Sequence, residues 1–222
     1  MNFSQVIIEE HPQWMAINKP SGWIVEKNPY EKPTIEDLAR DYLAQNSKKP
    51  FLGIVHRLDR VTSGLLLLAK KKQALRQLNA QFADRSIKKV YWAITHQALP
   101  SEAGKLKHHL EKDQKSKRAL IYKAASTKTS EVSLTYKLLA QKESLFLWEV
   151  IPHSGKFHQI RAQLAAEACP IVGDEKYGSP IDPAHRHIAL HARNLSFNEP
   201  LSGKRITIEA EIPHYKWWLA FQ

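Results

Sequence analysis

The chain has one cysteine, Cys169, so neither a disulfide framework nor a cysteine-based metal site can form within it. The neighbours Ala165, Ala166, Ala168, Pro170 and Ile171 suit a packed thiol rather than a reactive one. No apolar run approaches a membrane span, and Met1 to Glu10 lacks a basic region followed by an apolar one. A cytoplasmic protein without a membrane partner is expected. The Gly-Lys pairs at 104, 155 and 203 lack both the upstream glycine of a phosphate-binding loop and the hydroxyl residue after it. With no dinucleotide fingerprint and no His-Glu-x-x-His, nucleotide-driven and zinc-protease chemistries drop out, and no nucleotide cofactor is expected. The eleven histidines are scattered, without acidic partners at ligand spacing, so no metal site is expected. Acidic residues are scarce too: Lys+Arg 33 against Asp+Glu 22 leaves a formal net charge of +11. An excess of that size favours a polyanionic partner, with nucleic acid first.

What is present fits a globular protein, 43% hydrophobic and 25% charged. We read residues 1–222 as a single domain that acts as a monomer. Short β-rich runs at Phe3–Glu9 and Trp14–Asn18 form a hairpin, and Lys19-Pro20-Ser21-Gly22 supplies turn chemistry. Thr34 is a candidate N-cap with Asp37 three residues on. Ile35, Leu38, Ala39, Tyr42 and Leu43 share one helical face. Strands follow at Phe51–Val55 and Leu65–Ala69, a helix at Lys71–Asp84 and a strand at Ile87–Thr95. Gly104–Lys128 carries eight lysines and arginines against Glu111 and Asp113, and reads as a basic hairpin or loop insertion standing off the core. Glu131–Leu139 and Leu145–Ile151 form a hairpin, Gly155–Ala168 a helix, and Pro170–Val172, Ile188–Ala192 and Ile206–Ile212 the last strands. A short helix at His214–Phe221 ends the chain. Strands run in pairs more often than they alternate with helices, which predicts an α+β fold with a mixed, mostly antiparallel central sheet flanked by helices.

Two charged constellations stand out. His56-Arg57-Leu58-Asp59-Arg60 sets one carboxylate between two arginines, and Thr62-Ser63-Gly64 turns the chain into Leu65–Ala69. Opposite charge favours the ionised carboxylate, which suits Asp59 to act as a nucleophile or base rather than a proton donor. His153-Ser154-Gly155-Lys156-Phe157-His158-Gln159-Ile160-Arg161 places an arginine on a partly buried helical face. A buried arginine wants a carboxylate, and Asp59 is the candidate.

The stretch His56 to Lys70 resembles the signature of the RluA-type pseudouridine synthases, which isomerise uridine in ribosomal or transfer RNA. Asn18-Lys19-Pro20-Ser21-Gly22 resembles the family's entry loop and Lys89-Val90-Tyr91-Trp92-Ala93 its tyrosine strand. His158-Gln159-Ile160-Arg161, continued by Pro170-Ile171-Val172-Gly173-Asp174 and Tyr177-Gly178, resembles its third motif, and Ala189-Leu190-His191-Ala192 a later one. The resemblance spans roughly residues 15 to 213. It implies a synthase without cofactor, acting on rRNA or tRNA, and the stretch before the entry loop is too short for the separate S4 RNA-binding module that many relatives carry, so none is expected. Asp59 would be the catalytic aspartate, Tyr91 the tyrosine stacked on the base, and Arg161 the arginine paired with Asp59. Arg57 would enter the RNA stack when the target base flips out. His56, Arg60, Lys156 and His158 would lie on the RNA-contacting surface, with Ile160 and Leu190 packing the base pocket. The chain departs from the family at Gly155-Lys156-Phe157, where Gly-Arg-Thr is usual.

Overall fold

A computed structural model describes residues 2–27, 29, 33–180 and 187–222. The chain divides into two compact units. The first comprises residues 1–89 and 192–213, the second residues 90–191 and 214–222.

The first unit is built on a run of strands that alternation alone would not reveal. After a 3₁₀ turn at Phe3–Val6, capped by the Asn2 side chain, come β1 (Ile7–Glu10) and β2 (Trp14–Lys19). Further along are β3 (Gly53–Ile54), β4 (Ser63–Ala69), β10 (Leu190–Asn198, from Ala192 onward) and β11 (Arg205–Glu209). The order is β1-β2-β4-β10, with β11 on β10 and β3 on β4. The β1/β2, β2/β4, β3/β4 and β10/β11 ladders are antiparallel. Every residue of β4 is buried, which explains its unbroken apolar run: a strand covered on both faces has no solvent side to keep polar.

Helix α1 (Ile35–Ala44) opens with the expected capping box, Thr34 and Asp37 each bonding the other's backbone N–H. Helix α2 (Lys72–Ala83) buries Ala74 and Leu78. The first expected strand is therefore shorter than its apolar content suggests. Asn2 accepts from the Ser4 amide, a local bond that competes with extended pairing.

The second unit carries β5 (Lys88–Thr95, from Val90 onward), β6 (Ala103–Asp113), β7 (Arg118–Tyr122), β8 (Ser130–Lys142) and β9 (Leu145–Pro152), in the order β5-β9-β8-β6-β7. Its helices are α3 (Gln159–Ala166) and α4 (Lys216–Leu219). The basic segment does not stand off the core. It forms the β6/β7 hairpin, whose Leu110 and Ala119 are buried with Val132, Ala162 of α3 and Tyr177. The lysines hide this, because Leu106, His108 and Leu110 alternate with Lys105, Lys107 and His109, so one face is core and the other solvated.

The helix expected from Gly155 starts only at Gln159, because His158 takes a left-handed conformation (φ 52) that a helix cannot contain. Pro170–Val172 contributes one isolated bridge, Thr95 to Ile171, instead of a strand. The fold class is α+β, with sheets that are mostly antiparallel and few helices, as expected. No helix among the described residues is long and apolar enough to cross a membrane.

Candidate active site

In the first unit, Asp59 sits in the irregular segment between β3 and β4, and the backbone that follows it is clamped. Its carbonyl accepts from the Thr62 amide at 3.0 Å, closing the turn into β4. Thr62 and Ser63 are buried, and Gly64 has φ +109. A Cβ on Gly64 would meet the Ala192 carbonyl oxygen at 2.4 Å and its nitrogen at 2.5 Å, so the approach of the two backbones requires glycine. The loop 19–23 grips the two residues that follow Asp59. Gly22 N–H donates to the Arg60 carbonyl at 2.7 Å, Ser21 Oγ to the Val61 carbonyl at 2.6 Å, and Arg60 Nε back to the Gly22 carbonyl at 3.1 Å.

The centre of that grip is Lys19, fully buried at the end of β2. Its ammonium donates to the carbonyls of Pro20 (2.9 Å), Trp23 (3.0 Å) and Arg60 (3.2 Å), one acceptor for each of its three protons. Burial pulls its pKa down to about 7, and the nearby Asp59 carboxylate acts in the opposite direction. Lys19 is thus a buried amino group, protonated below about pH 7, within electrostatic reach of Asp59. In the sequence Lys19 reads as part of a turn and of the entry-loop motif, and one lysine before a proline gives no sign of burial.

The arginines flanking Asp59 part company. Arg57 projects into solvent, its side chain 70% exposed, and Nη1 donates to Glu26 Oε2 at 2.7 Å. Arg60 is tied by its backbone and Nε to the 19–23 loop. His56 is a correction to the expected RNA-contacting set. Its Nε2 accepts the Leu67 amide at 3.0 Å and its ring stacks on Phe82 at 4.8 Å. Burial, and then the charge of Lys89, depress its pKa to about 3. A neutral, packed imidazole with its acceptor nitrogen engaged fixes the segment before Asp59 and offers no cation to phosphate.

In the second unit, Tyr91 lies on β5 opposite Val150, which is opposite Tyr136, itself opposite Gly104. These residues share one face of the sheet, and Tyr91 is half-buried there. Leu190 and Ile160 are buried. Arg161, buried on α3, forms a two-pronged ion pair with Asp174: Nε to Oδ2 at 2.7 Å and Nη2 to Oδ1 at 2.8 Å, with 5% and 1% of the side chains exposed. Asp174 is thus a carboxylate for the buried arginine that the sequence reading did not single out, although it stands in the quoted Gly173-Asp174 motif.

Tyr177, in the same motif, packs its ring 5.2 Å from the guanidinium carbons of both Arg161 and Arg118. Its hydroxyl accepts the Ala119 amide at 2.8 Å and meets His158 Nδ1 at 3.0 Å. Gln159 Oε1 accepts from Ser154 Oγ and from the Lys156 amide, while its Nε2 donates to the Ser133 carbonyl. The start of α3 is thereby pinned to β8. Lys156 itself is exposed.

A family model described as RNA pseudouridylate synthase matches residues 13–166. The protein named ribosomal large subunit pseudouridine synthase C of Rickettsia felis is 36% identical over 214 residues, covering 94% of this chain and 68% of that protein. The synthase D of Neisseria meningitidis is 31% identical over 223 residues, covering 93% and 58%. Among solved structures, human RNA pseudouridylate synthase domain containing 4 aligns with a TM-score of 0.80 at 24% identity, covering 96% of this chain and 90% of that one, and so shares its fold. With the family model covering more than half of the chain and a relative 36% identical matched over 68% of its length, the chain belongs to the RNA pseudouridylate synthase family.

Proposed function

We propose that this protein isomerises uridine to pseudouridine in the RNA of the large ribosomal subunit, in the cytoplasm, with Asp59 as its catalytic carboxylate. The observation that carries the reading is the clamp beside Asp59. Buried Lys19, the 19–23 loop and a glycine-dependent turn together hold the backbone that follows Asp59, in the segment that matches the family signature. The choice of ribosomal over transfer RNA rests on relatives at 31–36% identity being named ribosomal large subunit pseudouridine synthases.

The reaction breaks the bond between C1′ of ribose and N1 of uracil, turns the base and joins C1′ to C5, with the C5 proton leaving and N1 gaining one. Substrate and product are isomers, so neither water nor an oxidant is consumed. The target base must leave its stack before its glycosidic bond is accessible. Arg57 suits the vacancy because its planar guanidinium is exposed. Its pairing with Glu26 is a surface ion pair worth about 0–1 kcal/mol, weak enough to be exchanged for RNA. Tyr91 would stack on the flipped base, with Ile160 and Leu190 behind it. Arg161, oriented by Asp174 and Tyr177, would serve as the arginine of the site.

The basic β6/β7 hairpin, with Lys112, Lys115, Lys117 and Arg118, would contact phosphates alongside Lys156. Site-resolved pseudouridine mapping of ribosomal and transfer RNA from cells lacking the gene, before and after treatment with purified protein, tests the proposal. One or more uridines of large-subunit RNA should convert without release of free uracil. Conversion confined to transfer RNA, or uracil release, would contradict it.

A further inference from the structure

The turn that precedes α3 carries an aromatic ring that the isomerisation does not use. Phe157 is only partly buried, and it stands where the family pattern has threonine. Its ring lies parallel to the His158 imidazole, with centroids 3.8 Å apart and planes 18° apart. The imidazole is a rigid backing. His158 is held in its left-handed conformation, meets Tyr177 edge-on at 5.7 Å, and has Nδ1 3.0 Å from the Tyr177 hydroxyl. Because that hydroxyl accepts the Ala119 amide, its own proton is available to Nδ1. Lys112 of β6, an exposed residue, holds its ammonium 4.9 Å from the centre of the Phe157 ring, and the exposed Lys156 is its chain neighbour.

The geometry points to a nucleobase-stacking site on the Phe157 ring for an unpaired nucleotide of the RNA, with Lys112 and Lys156 receiving its phosphates. The inference rests on the RNA-substrate reading above and adds a second point of recognition in the second unit, four residues before Arg161. Magnitudes decide whether a base can replace the lysine over the ring. An exposed ammonium–ring contact contributes roughly 2- to 5-fold to an equilibrium. A base stacked on an aromatic side chain contributes roughly 5- to 150-fold. The base wins, and the displaced ammonium stays within reach of the phosphate attached to it. The ring is already ordered by its stack on His158, so little side-chain entropy is lost when a base lands on it. A bare π-face accepts any base, so the site reads whether the nucleotide is unpaired and not which base it carries.

The test uses the full chain and a fluorescein-labelled 12-nucleotide single-stranded RNA, the same sequence as a duplex, and single-stranded versions with 2-aminopurine at each position in turn. Wild type should bind the single strand and quench 2-aminopurine at one position outside the modified uridine. Phe157→Leu, which keeps apolar bulk but loses the stacking plane, should weaken single-strand binding roughly 5- to 150-fold. It should abolish that quench and leave duplex affinity unchanged, while Phe157→Trp should retain both binding and quench. A Phe157→Leu protein that unfolds at the wild-type temperature, binds the single strand as tightly and quenches as fully would overturn the stacking site, even with pseudouridine formation intact. Wild type that forms no pseudouridine in any RNA would instead overturn the functional reading. Wild type that fails to bind the single strand would overturn the stacking site directly.

Discussion

Replacing Asp174 by asparagine should be among the most destabilising conservative changes in the second unit. The Arg161–Asp174 pair makes two charge-assisted hydrogen bonds of 2.7 and 2.8 Å, with both side chains almost wholly removed from water. Asparagine keeps the shape but withdraws the negative charge and turns one acceptor into a donor facing the guanidinium. Removing one partner of a buried pair costs about 3–5 kcal/mol, because the remaining charge is left desolvated. With a urea m-value of about 2–3 kcal/mol/M for a chain of this size, the unfolding midpoint should fall by roughly 1–2 M.

The double change Arg161→Met with Asp174→Leu leaves no charge buried and should recover most of that loss. Urea titrations followed by tryptophan fluorescence and circular dichroism give the three midpoints. A midpoint for Asp174→Asn within about 0.3 M of wild type, at unchanged slope, would refute the reasoning, since a solvated surface pair is worth only about 0–1 kcal/mol. A double variant no more stable than the single one would refute the second half.

Gly64→Ala should cost about 3 kcal/mol, because the φ of +109 is strained for alanine and the new methyl would press on Ala192 backbone atoms at 2.4 and 2.5 Å. Calorimetry should show Tm falling by about 6–12 °C, and an unchanged Tm would mean that the backbones do not approach so closely. Acid sensitivity should carry the mark of His56. Its pKa is about 3 in the folded protein against about 6.5 when unfolded, so protonation favours the unfolded chain. Stability from this group is complete above pH 6.5 and is lost as pH falls toward 3, by about 2–4 kcal/mol after allowance for partial exposure.

Glu199 acts in a lower window. Burial raises its pKa, but bonds from the Ser202 backbone and side chain, the Leu201 amide and the Trp14 indole together hold it at about 2. Its contribution is therefore lost only below pH 4.5. Denaturation between pH 6.5 and 4.5 should show a pH slope in wild type that His56→Gln flattens. Equal slopes would remove His56 as the source.

Where local chemistry and tertiary packing agree, the sequence was readable. Thr34 and Asp37 mark the start of α1 because a capping box is satisfied within four residues, and Leu65–Ala69 reads as a buried strand because no polar residue interrupts it. The β8/β9 hairpin was legible as well, its turn made by Glu143 in a left-handed conformation. What escaped depends on contacts distant in sequence. β10 extends to Asn198, beyond the expected Ala192. Its polar Asn194, Ser196 and Asn198 are stabilised by pairing with β11, a partner that no local pattern reveals.

The site followed the same division. Asp59, Tyr91 and Arg161 could be placed because they lie in ordered motifs, and their roles remain part of the proposal. Lys19 gave no sign of burial because its three acceptors are backbone carbonyls, which carry no residue identity. Glu26 meets Arg57 across 31 residues without any motif. His56 misled because a histidine beside two arginines in a basic protein looks like a phosphate contact, whereas its ring packs on Phe82 and caps the Leu67 amide.

The central claim is that one carboxylate does the chemistry, and Asp59→Asn tests it most directly. The variant keeps the backbone bond from the Asp59 carbonyl to Thr62, so it should fold as wild type does and bind RNA with similar affinity. The measurement is the pseudouridine content of large-subunit RNA from cells lacking the gene, after treatment with the variant. It is read by nucleoside chromatography because substrate and product have equal mass. The account predicts conversion with wild type and none above background with Asp59→Asn. Conversion by a folded Asp59→Asn protein would contradict it.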